Sequence, residues 1–322
     1  MVRAIAERGA LCQFRNVAAS TPNIYVAQAL DRMAHRRGDE GWIRALLTAE
    51  RAVVIPVWRS QNLVAPGNEP RAIMLPAAEA AALCTDSGAV AFLGMLGETP
   101  HFAVDLSHVE DPFVLDCIAG KGAFVDLRTV GSLVGHDEAA LLAYARGLFH
   151  WHRQHKFCGA CGSPTIMREA GHLRLCTNPQ CGTQHFPRTD PAIIVLVSRG
   201  DHALLGRKSE WPAGMYSTIA GFVEPGESLE GAVEREVMEE TGIKVADVRY
   251  HSSQPWPFPA SLMLGYYARA VTDNINFNSD ELEDARWFSR EELAAGGAGR
   301  AARPRSDSIA RRLIDEWLTR GD

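Results

Sequence analysis

Short apolar runs, separated by Gly, Pro and polar residues, make up most of the first 130 residues. AVVIPVW (52–58) and AVAFLGML (89–96) have the length and composition of buried β-strands. We therefore predict a small β-rich or α+β domain here, in a region without a recognisable chemical motif.

The apolar spacing changes to a helical period in DEAALLAYARGLFHWHRQ (137–154). Leu141, Ala145 and Leu148 recur at intervals of three and four residues, which places them on one side of a helix. The segment predicts an amphipathic helix that leads out of the first domain.

The second half of the chain combines apolar strands with one amphipathic helix. The predicted elements are strands at PAIIVLVS (191–198), its partner HALLGRK (202–208), MYSTIAG (215–221) and LMLGYYARAV (262–271), and a closing helix at SIARRLIDEWL (308–318). In that helix Ile309, Leu313 and Trp317 share one face. This half reads as a second, larger domain of mixed strands and helices.

Composition indicates an ordinary soluble globular protein. The 322 residues are 46% apolar and 22% charged, enough for two or three domains with hydrophobic cores. The net charge of -6 gives no sign of a large basic nucleic-acid surface. No run of 18 apolar residues occurs, so we expect no membrane partner.

The single cysteines and the N-terminus bear on the compartment. Cys12, Cys84 and Cys117 are scattered, which argues against a disulfide framework and favours a reducing environment. The first 20 residues contain arginines, but Glu7 interrupts them and no long apolar stretch follows. We therefore predict a cytoplasmic protein without a cleaved targeting segment.

Four further cysteines have the spacing of a zinc site. Cys158 and Cys161 form CGAC, and after fourteen residues Cys176 and Cys181 form CTNPQC. Two disulfides or a redox CxxC motif are alternatives, but a redox pair of cysteines needs no second, closely spaced pair further along the chain. Four thiolates leave no open position on the metal, so we predict one structural Zn²⁺ per chain.

Residues 221–243, GFVEPGESLEGAVEREVMEETGI, contain seven glutamates. On a helical projection Glu236, Glu239 and Glu240 fall on the side of Leu229, Val233 and Val237, which should face the protein. Carboxylates gathered beside apolar residues repel one another unless a cation lies among them. Hard oxygen ligands predict Mg²⁺ or Mn²⁺, completed by substrate phosphates.

The same stretch resembles the Nudix box, GX5EX7REUXEEXGU, at every defined position. The resemblance implies a loop, helix and loop on an α/β/α sandwich, with Glu236, Glu239 and Glu240 as ligands of catalytic divalent cations. It also implies pairing of Glu227 with Arg235 and conformational roles for Gly221 and Gly242. Glu239 is the nominated general base. A further metal ligand is expected downstream at Glu281, with Glu283 as the fallback.

SQPWPFPAS (253–261) resembles the signature of the NADH pyrophosphatase branch of the Nudix superfamily. The residues that this resemblance assigns to substrate are Phe186, Phe222, Gln254, Trp256, Phe258 and Ser261. It implies hydrolysis of NADH or NAD to NMNH or NMN plus AMP, and removal of the NAD cap from RNA to leave 5′-monophosphate RNA. It further implies a homodimer in which Gln254 and Trp256 serve the partner's pocket.

The resemblance gives an α+β multidomain chain. The expected parts are a Nudix-like N-terminal domain (1–136), a connecting helix (137–154), a zinc ribbon (155–187) and a catalytic Nudix domain (188–322). Two other functions stay open: a Nudix hydrolase of ADP-ribose or other nucleoside diphosphate derivatives, and a non-enzymatic zinc-ribbon protein that binds nucleic acid. A hydrolase of ADP-ribose or related compounds does not need the segment SQPWPFPAS. A non-enzymatic nucleic-acid-binding role is usual in chains that have lost glutamates of the Nudix box.

Overall fold

The computed structural model describes residues 22–85, 89–296 and 302–320. The expectation about a targeting segment concerns residues 1–20 and lies outside these ranges, as does Cys12. No helix in the described part of the chain is long and apolar enough to cross a membrane.

The first domain is built on a sheet of seven strands within the described residues. Its strands are β1 (Val53–Trp58), β2 (Gln61–Ala65), β3 (Arg71–Ala72), β4 (Leu75–Pro76), β5 (Ala89–Leu96), β6 (Thr99–Asp105) and β7 (Ala123–Asp126). The path is β3-β2-β1-β6-β5, with β4 beside β1 and β7 beside β2, and β1 and β6 run parallel. Its helices are α1 (Glu40–Leu47), α2 (Ala81–Thr85) and α3 (Leu127–Val130). The prediction of a β-rich or α+β first domain is confirmed.

One long helix and a small sheet connect this domain to the next. Helix α4 (His136–Gln154) buries Leu141, Ala145 and Leu148, in agreement with their predicted common face. Strands β8 (Thr165–Arg168), β9 (Leu173–Cys176) and β10 (Gln184–His185) then form an antiparallel sheet in the order β10-β9-β8.

The second domain has a mixed sheet, in which β11 and β15 are parallel. Its elements are β11 (Asp190–Arg199), β12 (His202–Arg207), β13 (Ile219–Phe222), α5 (Leu229–Thr241), β14 (Val245–Trp256), β15 (Ser261–Ala270), β16 (Asp284–Ser289), α6 (Arg290–Ala295) and α7 (Ile309–Thr319). The order is β14-β15-β11-β12-β16, and β13 pairs with β11. The strand predicted at 215–221 starts later, at Ile219, because only single bridges join Met215 and Ser217 to other segments.

Helices cover both faces of this sheet. Alternate side chains of β11 point in opposite directions, so Ile193 packs with Val233 and Val237 of α5 while Ile194 packs with Leu313 of α7. Both faces are apolar, which is why PAIIVLVS reads as a continuous hydrophobic run. The arrangement is the expected α/β/α sandwich.

Polar side chains join the two domains. Arg146 of α4 is buried and donates from Nε to the carbonyl of Pro257 (3.0 Å), while its Nη2 lies 3.4 Å from Asp126. Asn23 donates to the Ser252 hydroxyl (2.9 Å) and to the Ser253 carbonyl (2.8 Å). Helix α4 and the segment around Asn23 therefore hold β14 from the side of the first domain.

Candidate active site

Capping interactions fix both ends of helix α5. The Ser228 hydroxyl accepts a hydrogen bond from the Gly231 amide (3.0 Å) and caps the first turn. Gly242 ends the helix in the left-handed conformation (φ 71°), and its amide donates to the carbonyl of Met238 (2.8 Å). Because Val233 and Val237 anchor the helix on the sheet, its rotation is fixed.

Arg235 fastens the preceding loop to α5. Its Nη2 and Nε contact the two carboxylate oxygens of Glu227 at 2.6 and 3.0 Å, and Nη2 also donates to the carbonyl of Phe222 (2.9 Å). The Arg235 guanidinium, together with the Glu224 amide, lowers the pKa of Glu227 to about 2. Residues 222–227 are thus held against the helix by a charged, bidentate clamp.

Glu236 and Glu240 lie one turn apart and are buried, with 9% and 3% of their surface exposed. Burial raises the pKa of both, and the charges of neighbouring carboxylates add to the effect. The pKa of Glu240 rises to about 7, although Lys208 opposes the shift. A cation would stabilise such carboxylates, and their oxygens are of the type that hard divalent metals prefer. Among the described residues, however, the ligand atoms that converge as a set of three or more are those of the four cysteines, so the glutamates are not yet gathered around one point.

Glu239 departs from the predicted position. Its side chain is 53% exposed and bonds Arg235 at 3.0 Å, so it does not share the buried face with Glu236 and Glu240. The projection angle had placed it at the margin of that face, where an (i, i+4) ion pair draws the carboxylate outward. Arg235 also contacts Glu236 at 2.9 Å.

The missing side chain of Gly221 leaves room for the Glu236 carboxylate. A Cβ atom on residue 221 would lie 1.9 Å from the Glu236 carboxyl carbon and 2.0 Å from Oε1. Strand β13 thus approaches α5 so closely that only glycine leaves room for the carboxylate.

The two downstream candidates differ in their surroundings. Glu281 is exposed, and its charge contributes to the raised pKa of both Glu236 and Glu240. Glu283 instead forms an ion pair with Arg207 (2.6 Å). Of the two, Glu281 is the carboxylate available to the buried glutamates.

A cavity of about 350 Å³ adjoins Glu240. Its walls include Lys208, Thr218, Trp256 and Arg305. The hydroxyl of Thr218 is buried without a hydrogen-bond partner among the described residues. Lys208 and Thr218 lie outside every motif in the sequence, so no pattern could have found them, whereas Arg305 belongs to a basic cluster with Arg300 and Arg303 that the sequence offers as a candidate for RNA contacts.

The structure places the predicted substrate residues in three different surroundings. Gln254 and Trp256 line this cavity, whereas Phe258 is buried against Tyr25 at a ring distance of 5.9 Å. Phe186 and Phe222 are exposed aromatic side chains, 62% and 61% accessible.

The Gln254 amide is engaged within its own chain, whereas the family resemblance implied a role across a subunit interface. Its Nε2 donates to the carbonyls of Asp307 (2.7 Å) and Ile24 (3.0 Å), and its Oε1 accepts from the Ile309 amide (2.8 Å).

The four ribbon cysteines converge. Their sulfur atoms all lie within 4.8 Å of one another, and the contacts Cys158–Cys181 and Cys161–Cys176 measure 3.8 and 3.5 Å. A ZnS₄ tetrahedron with bonds of about 2.3 Å has edges of about 3.8 Å, so the spacing fits zinc. His185 Nε2 lies 3.3 Å from Cys158 Sγ, where an N–H donor can support a thiolate. The four thiolates would hold a structural zinc ion, because they leave no coordination position open for water or substrate.

Three family models match the chain. A NUDIX domain covers residues 188–312, an NADH pyrophosphatase-like rudimentary NUDIX domain covers 51–151, and an NADH pyrophosphatase zinc ribbon domain covers 153–186. The fold and the α5 site are thus those of a Nudix protein. The chain belongs to the Nudix family, in its NADH pyrophosphatase-like branch.

Curated relatives agree with this membership. Nudix hydrolase 19, chloroplastic, of Arabidopsis thaliana is 48% identical over 206 residues, covering 60% of this chain and 47% of that protein. NAD-capped RNA hydrolase NudC of Stutzerimonas stutzeri is 46% identical over 194 residues, 60% of this chain and 67% of that protein. NAD-capped RNA hydrolase NUDT12 of Homo sapiens is 44% identical over 193 residues, 56% and 42% respectively. The chain therefore spans about half to two thirds of the length of these relatives.

Proposed function

We propose that this protein hydrolyses the diphosphate bond of NADH or NAD to NMNH or NMN plus AMP. We propose further that it removes the NAD cap from RNA and leaves a 5′-monophosphate end. The observation that carries the proposal is a single cavity that is lined both by buried Glu240 and by Trp256 of SQPWPFPAS. An acidic metal-binding end and an aromatic end suit a dinucleotide. Two of the relatives are named NAD-capped RNA hydrolases.

The catalytic metal in this proposal is Mg²⁺ or Mn²⁺. Glu236 and Glu240 would hold it, with Glu239 and Glu281 as further ligands; the donor set is entirely carboxylate, as these cations prefer. When bound, such a cation offsets phosphoryl charge and lowers the pKa of the attacking water.

The chain's own residues supply position and proton transfer. Arg235 contacts Glu236 and Glu239 at 2.9 and 3.0 Å, so in this proposal it is a positioning residue for both carboxylates. We keep Glu239 as the nominated general base, because its exposed carboxylate can pass a proton to solvent. Lys208 is a cation of the cavity wall and would attract the diphosphate, whereas Arg305 in the same wall is paired with Asp307.

The nicotinamide is proposed to bind between Phe186 and Phe222. Large exposed aromatic side chains mark sites of contact with a ligand or another protein. The exposure of Phe186 and Phe222 therefore also supports a homodimer whose interface covers these rings. Phe258 and Ser261 then support the SQPWPFPAS loop. Light scattering coupled to size-exclusion chromatography tests the dimer.

The domain division proposed for this activity is 1–136, 137–154, 155–187 and 188–322. The matched ranges 51–151, 153–186 and 188–312 support it. We also propose a cytoplasmic location, on the basis of the unpaired Cys84 and Cys117, which imaging of a tagged full-length chain tests.

The experiment for the activity compares substrates. Purified protein is incubated with NADH, NAD, ADP-ribose and 5′-NAD-capped RNA, with Mg²⁺, with Mn²⁺ and with EDTA. We expect metal-dependent release of AMP and NMNH or NMN, or of monophosphate RNA, and the ratio of kcat/KM values identifies the main substrate. Cleavage of ADP-ribose alone would disprove the assigned pocket, and nucleic-acid binding without cleavage would indicate the non-enzymatic function.

A further inference from the structure

The three-stranded sheet of the zinc ribbon has one face against helix α4. Arg174 of β9 donates from Nε to the Thr165 hydroxyl of β8 (2.7 Å) and from Nη1 to Nδ1 of His152 in α4 (3.1 Å). Thr165 and His152 are both buried. Because successive side chains of a strand point to opposite faces, the strand neighbours of Thr165 and Arg174 point away from the helix.

The opposite face of the sheet is open. Ile166 of β8 lies beside Leu175 of β9, and Leu175 lies beside Gln184 of β10, so the three side chains point to the same side. Arg168 follows Ile166 by two residues along β8 and shares that side. Ile166, Arg168 and Gln184 are exposed, and Leu175 is half-buried. This side of the sheet is therefore accessible.

Two phenylalanines extend this face at its edges. Phe157 forms an isolated β-bridge with Pro164, two positions before Ile166, and is 65% exposed. Phe186 follows Gln184 by two residues and is 62% exposed. Large apolar side chains that are exposed together mark an interaction site. We call this surface the ribbon face, and it consists of Phe157, Ile166, Arg168, Leu175, Gln184 and Phe186.

The charges around the ribbon face favour a polyanion as the partner. Residues 153–188 contain five Lys or Arg residues and one acidic residue, Glu169, in a chain whose net charge is -6. Four thiolates around Zn²⁺ carry about −2, so the segment stays basic. Lys156 and Arg168 are exposed, and neither forms an ion pair within residues 22–85, 89–296 and 302–320. Exposed rings beside unpaired cations are the combination that binds single-stranded nucleic acid, through stacked bases and phosphate contacts.

We propose that the ribbon face binds the RNA chain that follows the cap of NAD-capped RNA. The inference rests on the proposed function and adds the surface that would hold the transcript. A base would stack on the Phe157 ring, and phosphates would bind Lys156 and Arg168. Phe157 and Phe186 lie three strand spacings apart, roughly 14 Å, which spans about four stacked nucleotides.

The ribbon face borders the proposed cap site, because Phe186 is one of the two rings placed beside the nicotinamide. The RNA chain of the substrate continues from the adenosine ribose. A diphosphate and two ribose units separate that point from the nicotinamide ring, and their rotatable bonds let the chain turn onto the ribbon face.

Fluorescence anisotropy with a short, uncapped single-stranded RNA tests the binding. Phe157→Ala should lower the affinity about fivefold or more, the loss expected for one stacked base. Arg168→Gln should weaken binding and reduce the slope of log affinity against log salt by about 0.7, the share of one phosphate contact on a single strand. Arg71→Gln is the matched control and should bind like native protein, because Arg71 is an exposed arginine on β3, at the opposite edge of the first sheet from β5, where Gly171 of the ribbon packs.

Hydrolysis separates this inference from the proposed function. Phe157→Ala and Arg168→Gln should lower kcat/KM for NAD-capped RNA at least threefold and leave kcat/KM for NADH unchanged, because neither residue lines the cavity beside Glu240. If native protein cleaves neither substrate, the proposed function fails, and the anisotropy still decides whether the ribbon face binds RNA. Equal RNA affinities in native protein, Phe157→Ala and Arg168→Gln would overturn the proposal.

A second copy of the chain is the competing occupant of the ribbon face. If Phe157→Ala lowers the mass measured by light scattering and leaves RNA affinity unchanged, the face joins two subunits and the proposal is wrong. The zinc content per chain shows whether Phe157→Ala keeps the ribbon folded. Should it not, the comparison of Arg168→Gln with Arg71→Gln decides the question alone.

Discussion

Gly221→Ala is the substitution whose effect follows most directly from the geometry of α5. The new Cβ would lie 1.9 Å from the Glu236 carboxyl carbon, and carbon atoms in contact are about 3.5 Å apart. The carboxylate must therefore move by roughly 1.6 Å. A misplacement of about 1 Å can reduce catalysis on the order of 100-fold, so we expect kcat to fall by at least that factor.

Folding should change little in the same variant. Gly221 does not occupy the left-handed region, and the obstructing atoms are the free end of a flexible side chain. We expect the free energy of unfolding to stay within about 1 kcal/mol, as for substitutions without a core defect. Steady-state hydrolysis of NADH and a urea titration measure the two effects separately.

A double-mutant cycle with Glu236→Gln shows whether the loss passes through Glu236. If it does, Gly221→Ala has little further effect once the carboxylate is gone, since residues in contact are not additive. Full activity in Gly221→Ala, or losses that multiply in the double variant, would refute the reasoning.

Three further predictions concern the clamp, the zinc site and pH. Arg235→Lys loses the bidentate contact with Glu227, so kcat should fall about tenfold or more; unchanged kinetics would contradict the clamp. Cys176→Ser should abolish the one zinc per chain measured by atomic absorption, whereas Cys84→Ser should retain it. Burial lowers the pKa of His152 to about 4, so the unfolded chain binds its proton more readily and stability falls as the pH drops from about 6.5 toward 4, by about 2 kcal/mol at pH 5. Denaturant titrations should show a weaker pH dependence in His152→Gln, and an equal dependence would exclude this cause.

The elements of the fold were largely predictable, because apolar periodicity reports which side of an element is buried. PAIIVLVS is apolar throughout since β11 is covered on both faces, and Ile309, Leu313 and Trp317 of α7 are buried together. The start of β13 was predicted too early because Met215 and Ser217 form only isolated β-bridges. Such bridges cannot be told from a strand by the pattern of apolar residues in the sequence.

The site was predictable where contacts are local. Pairing between Glu227 and Arg235 spans eight residues and follows from the loop and helix of one motif. Glu239 was placed wrongly because a projection angle does not include the pull of Arg235. Lys208 and Arg305 reach the cavity only through tertiary folding.

Long-range contacts of the N-terminal segment could not be predicted from the sequence either. The Tyr25 hydroxyl donates to the Asp307 carboxylate at 2.6 Å across 282 positions of sequence. Arg305 bonds the same carboxylate at 2.7 Å, so a residue near the N-terminus helps to fix a side chain of the active-site cavity. No local pattern encodes such a pair.

The most direct test of the account is metal-dependent NADH hydrolysis by Glu240→Gln beside Glu234→Gln. Glu240 is buried at the cavity wall and Glu234 is exposed on the same helix, so the two variants replace one carboxyl group by an amide on different faces. The account predicts that Glu240→Gln lowers kcat/KM for AMP release in Mg²⁺ by a factor on the order of 100 or more, as expected for a metal ligand, while Glu234→Gln stays within about twofold. Equal activity in the two variants would contradict a catalytic site on the buried face of α5.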